Sequence, residues 1–117
     1  MRILSDDRII VRRAGRGFVM YGTPWHGEAE LSEPGSAPLR CVFFLVHGVC
    51  SVLVPLRVPE ATARLLACGL PPFYDREGLE FTVGVLAELA AEVPCQELRL
   101  VPDPTVVRFI QAWVGTP

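Results

Sequence analysis

The sequence predicts an α+β fold, with strands gathered in the first half and helices in the second. Three observations carry this. Short apolar runs bounded by glycine and proline fill residues 8–56. The clearest helical periodicity lies over residues 75–92. An Asp-Pro pair, Asp103-Pro104, opens a further helix near the end. With 117 residues, half of them hydrophobic, the chain fits one domain, residues 1–117, with its own core. We expect β-hairpins followed by helices, the strands forming one mixed sheet.

Leu4-Ser5-Asp6-Asp7 ends a short strand, and Arg8-Ile9-Ile10-Val11-Arg12-Arg13 reads as the next one. Ala14-Gly15-Arg16-Gly17 is a turn, because glycine takes positive φ freely. Phe18-Val19-Met20-Tyr21 returns, so residues 8–21 form a hairpin. Residues 22–40 contain three prolines and three glycines, which defeat both helix and sheet, so this segment reads as a long loop. Loops of that length inside a compact domain serve a function or stay disordered.

Cys41-Val42-Phe43-Phe44-Leu45-Val46 is a continuous apolar run, the pattern of a strand buried on both faces. His47-Gly48-Val49-Cys50 turns it into a second strand, Ser51 to Leu56. Pro55 there marks an edge or a strand end. Pro59 suits the first turn of a helix over 59–68, which Gly69 stops. From Asp75 to Glu92, Leu79, Val83, Leu86, Ala90 and Val93 share one helical face. Gly78 and Gly84 weaken that helix by about 1 kcal/mol each, so packing must hold it. Glu97 to Val101 alternates as a last strand. Asp103 caps a final helix to Trp113, with Pro104 at its first position.

Composition limits function. Net charge is −2, and without a basic stripe nucleic-acid binding is not expected; the densest basic group, Arg12, Arg13 and Arg16, reads as a hairpin tip kept soluble by charge, with a grip on an anionic partner as the alternative. No run approaches the roughly 18 apolar residues of a membrane span. Carboxylates stand where a signal peptide needs apolar residues, so a cytoplasmic protein is expected. Cys41, Cys50, Cys68 and Cys95 show neither a C-x-x-C pair nor metal spacing to His26 or His47, and are expected as reduced thiols. Glu28, Glu30 and Glu33 read as a solvated loop. Mean hydropathy is +0.36, high for a short chain. Apolar surface should therefore remain for another subunit to cover.

The Asp6-Asp7 pair stands between two apolar runs. A carboxylate fixed at a strand end can hold Mg²⁺, a hard ion that takes one or two protein carboxylates plus phosphate oxygens. An Asp-Asp turn bonding its own backbone is the competing reading.

Ile3-Leu4-Ser5-Asp6-Asp7-Arg8-Ile9-Ile10-Val11, then Tyr21-Gly22-Thr23-Pro24-Trp25-His26-Gly27, then Ser36-Ala37-Pro38-Leu39-Arg40 and Val42-Phe43-Phe44-Leu45, resemble the HPr serine kinase-like family. This is the P-loop group related to HPr kinase/phosphorylase and to ATP-dependent phosphoenolpyruvate carboxykinase. The tail from Leu98 to Pro104 is similar as well. The resemblance implies a partial P-loop kinase/PEP carboxykinase-like domain in which Asp6 or Asp7 holds the magnesium of ATP. It also implies that Gly22, Thr23, His26 and Gly27 lie near the phosphates, with Thr23 and His26 donating to phosphate oxygens. An ordinary loop anchored by Trp25 is the alternative for that segment.

The family's Gly-x-x-x-x-Gly-Lys-[Ser/Thr] loop has no counterpart here, and all 11 basic residues are arginine. The lysine that reaches the β- and γ-phosphates cannot come from this chain, and a planar guanidinium does not replace a compact ammonium. We therefore expect a truncated domain that acts as a non-catalytic interaction or regulatory remnant, oligomeric, with neither Mg²⁺ nor ATP bound by the isolated chain. Its partner is a second copy or a protein carrying the phosphate loop. The alternative is an ATP/Mg-dependent serine kinase subunit completed by a phosphate-loop half supplied in trans or by upstream sequence.

Overall fold

The computed structural model describes residues 3–5, 8–25, 27, 29–69 and 74–114. Asp6, Asp7 and His26 lie outside the described residues. The chain forms two compact units, Met1–Cys41 and Val42–Pro117.

In unit 1, β1 (Ile9–Ala14) and β2 (Gly17–Gly22) form the expected hairpin, with Ala14 opposite Gly17. Gly15 takes φ +62°, the left-handed value that a two-residue hairpin loop with glycine at its first central position needs. Arg13 stands opposite Phe18 across the ladder, its guanidinium 5.0 Å from the ring centroid, and Phe18 is buried.

Residues 22–40 are not loop throughout. Ser36–Pro38 forms β3, antiparallel to β2, giving the order β1-β2-β3. Three residues with a proline at the end leave almost no strand signal. The proline is tolerated because the Leu39 N–H donates to the Phe18 carbonyl (2.9 Å). The neighbouring Pro38 nitrogen then falls where an N–H would point away from β2. The rest of the segment folds back on the unit. Ser5 bridges Ser32, the Glu33 N–H donates to the Leu4 carbonyl (2.9 Å), and the Gly22 N–H donates to the Gly35 carbonyl (2.9 Å).

In unit 2, the elements are β4 (Val42–His47), β5 (Val52–Pro55), α1 (Val58–Cys68), α2 (Arg76–Glu92), β6 (Cys95–Leu100) and α3 (Thr105–Val114). The sheet order is β4-β6-β5, with β4 parallel and β5 antiparallel to β6. Three expectations change. There are two sheets, not one mixed sheet. β4 and β5 do not form a hairpin, because β6 lies between them. β4 is an edge strand rather than one buried on both faces, and Leu45 is 68% exposed. A local apolar run cannot say which strand will arrive beside it. β6 is the buried centre, with Leu98 fully enclosed. Pro55 does end an edge strand.

The helices follow the sequence closely. The α2 stripe is at least half-buried, and Leu89, on the same side, is buried with Val93. Pro94 follows the α2 C-cap Val93 and prevents continuation. The Asp103 carboxylate accepts from the Thr105 N–H (2.8 Å) and from the Thr105 hydroxyl. These bonds to Thr105 hold Asp103 below the usual aspartate range. Phe43 of β4 meets Trp113 of α3 edge-to-face, with centroids 5.4 Å apart, so α3 touches the sheet at Phe43.

Two glycines generate opposite predictions. A Cβ at Gly84, exposed in mid-α2, would touch nothing, so Gly84→Ala should stabilise unit 2 by about 1 kcal/mol, read in urea melts of the helical circular-dichroism signal. A Cβ at Gly22 would collide with the Glu33 carbonyl oxygen and lie 3.2 Å from that of Leu4. Gly22→Ala should cost unit 1 on the order of 3 kcal/mol, followed by Trp25 fluorescence in a Trp113→Phe background.

Candidate functional site

The predicted phosphate-facing segment is drawn into the framework of unit 1. Thr23 is only 5% exposed, and its hydroxyl donates to the Arg8 carbonyl (2.6 Å). The open side of Gly22 is filled by the Glu33 backbone. The Gly27 carbonyl accepts from the Glu30 N–H (3.0 Å), closing a turn in which Glu30 takes φ 55°. Trp25 is exposed, and its carbonyl accepts from the Ser5 hydroxyl (2.8 Å). Gly22 and Thr23 therefore adjoin the end of β2, while Gly27 sits further along a turn of its own.

Unit 2 holds a charged cluster that sequence reasoning did not single out. Glu97, on the central strand, has a side chain only 16% exposed. Arg64 of α1 donates to its Oε1 (2.9 Å), and Arg99 donates through Nε to its Oε2 (2.8 Å). The Arg64 guanidinium also lies 4.7 Å from the centroid of Phe44. In register, Glu97 stands between Phe44 of β4 and Val54 of β5. The α1 helix is thus fastened to the sheet by one carboxylate and one aromatic face. Hydrogen bonds from Arg99 and then Arg64 hold the Glu97 carboxyl below the usual glutamate range. The alternation of Glu97, Leu98 and Arg99 could have placed both charges on one face, but nothing local announces Arg64, which is 33 residues away.

Beside this cluster lies an open cleft of about 540 Å³, lined by Val46, His47, Gly48, Cys50, Val52 and Arg99 among others. It sits at the carboxyl end of the parallel pair β4–β6, where open sheets receive ligands. A carboxylate kept ionised by two guanidiniums is a weak general base, because a base works best with a pKa near the working pH. Among the described residues, no group of three or more His, Cys, Asp or Glu gathers as a metal site. No disulfide joins the four cysteines; Cys95 is buried, and Cys50 and Cys68 are exposed. Burial pushes the Cys41 thiol up, away from the reactive thiolate. Among the described residues, no helix is long and apolar enough to cross a membrane.

The edge of β4 is exposed as well. Its odd-numbered residues, Phe43, Leu45 and His47, turn their N–H and C=O groups away from β6. This follows from the ladder, in which the even-numbered Val42 and Gly48 donate to Pro94 and Leu100 (2.9 Å each). No family, curated protein or solved structure matches the chain.

The Glu97 clamp makes a pH prediction. A carboxylate depressed in the folded state contributes stability that is fully present above the ordinary glutamate pKa. That stability is lost as pH falls through the ordinary value to the folded one. Glu97→Gln should therefore lower the melting temperature at neutral pH by several degrees, and the gap from wild type should close on acidification from about pH 7 to about pH 3.

Proposed function

We propose that the chain is a non-catalytic interaction or regulatory module, a form of the HPr serine kinase-like domain that works by associating with another protein surface and assembles as an oligomer. The observation that carries this reading is the unguarded edge of β4. Exposed strand edges invite pairing between chains, and proteins blunt them with charge, proline or brevity. β1 carries Arg12 and Arg13, β3 has three residues ending in Pro38, and β5 has four ending in Pro55. β4 has six residues, Val-Phe-Phe-Leu-Val-His, with no Arg, Asp, Glu or Pro. A strand of this kind is kept accessible where it is used.

Other features support the same reading. The chain has no lysine to reach a triphosphate. The Thr23 hydroxyl and the free side of Gly22 are occupied by the unit's own backbone. The resemblance around Asp6 and Asp7 speaks for the alternative, an ATP/Mg-dependent serine kinase subunit completed by a partner's phosphate loop. A melting experiment with Mg·ATP separates the two, since a ligand stabilises only by binding the folded state. No shift is expected for the isolated chain. A rise of several degrees, abolished by Asp6→Asn/Asp7→Asn, would overturn the non-catalytic reading and restore the kinase one.

A further inference from the structure

We infer that the occupant of the β4 edge is a second copy of this chain, joined antiparallel about a two-fold axis at Leu45 to make one continuous six-stranded sheet. The inference rests on the interaction-module reading and names its partner. A two-fold axis perpendicular to a sheet keeps each face on its own side, so residues pair only when their numbers sum to an even value. The groups free to bond are those of Phe43, Leu45 and His47. An axis at Leu45 sets Leu45 opposite its copy and Phe43 opposite His47 on both sides. Every outward-facing residue of the strand then lies in a hydrogen-bonded pair, three pairs with roughly six ladder bonds. An axis at Phe43 or His47 would leave part of that set unpaired.

The side chains agree with the register. Leu45, 68% exposed in the single chain, meets its own copy, so the most exposed apolar residue of the strand is the one most covered by pairing. Phe43, already against Trp113, gains an imidazole neighbour. β4 has no Arg, Asp or Glu, so self-pairing opposes no like charges. The same operation on β1 would bring Arg12 and Arg13 close to their copies, which disfavours pairing.

Sedimentation of the full chain at micromolar concentration should give twice the 12.9 kDa chain mass. Leu45→Pro should give a monomer with its helical signal intact, because the nitrogen at that position does not serve the β4–β6 ladder. Leu45→Lys should do the same by charge, and it decides the matter if the proline variant does not fold. The register is read by oxidation in a Cys41→Ser/Cys50→Ser/Cys68→Ser background that keeps the buried Cys95. Leu45→Cys should cross-link two chains, since a hydrogen-bonded pair sets Cα atoms about 5.5 Å apart. His47→Cys, opposite Phe43, should not. A monomer at every concentration would overturn the inference. So would a dimer that survives Leu45→Lys and is not trapped by Leu45→Cys. Either result leaves the Mg·ATP test to judge the non-catalytic reading separately.

Discussion

Unit 2 depends on the seating of β6 between two strands that precede it in sequence. β4 and β5 have no ladder with each other. Each has its ladder partner only in β6, which begins 48 residues after the end of β4 and 40 after the end of β5, beyond α1 and α2. The sheet therefore closes around Leu98, which is fully buried, and its pairing spans the whole helical segment in sequence. Such non-local pairing must meet its loop-closure cost before its contacts return anything. Glu97 reduces the ambiguity of that late step. It reaches Arg64 on α1, while the Phe44 ring on β4 receives the same guanidinium. Helix, edge strand and central strand are thus keyed to one another.

Unit 1 uses the opposite device, a local hairpin whose ends are locked by backbone. The Leu4 carbonyl, Gly22 and the Glu33–Gly35 segment approach so closely that only a residue without a side chain fits at position 22. A glycine that permits close approach is equally what a phosphate-facing loop requires. Its presence therefore says that something comes near, not what. Here the neighbour is the chain itself.

Much of the fold was legible in the sequence because its signals are local. The Gly15 turn, the Gly69 stop, the α2 stripe and the Asp103 cap each rest on residues within a few positions of one another, and each appears where expected. The misses share a cause. β3 is too short and too proline-bound to show a period. The edge position of β4 depends on where β6 pairs, and the Glu97 clamp on a partner in another helix. None of these is written in any single window. Of the residues singled out for a phosphate site, Gly22 and Thr23 stand together at the end of β2 with structural partners, and Gly27 stands in a turn nearby. The cleft at the end of β4 and β6 joins segments that the one-dimensional pattern keeps apart.

The proline at the end of β5 has a consequence for the geometry of growth. A sheet with two equivalent open sides propagates without limit, whereas a sheet with one open side can add a single two-fold-related copy of itself and then has none left. Pro55 and the shortness of β5 close the far side of unit 2. In the dimer we propose, association through the near side is isologous and self-terminating, which would give a finite particle instead of a fibre.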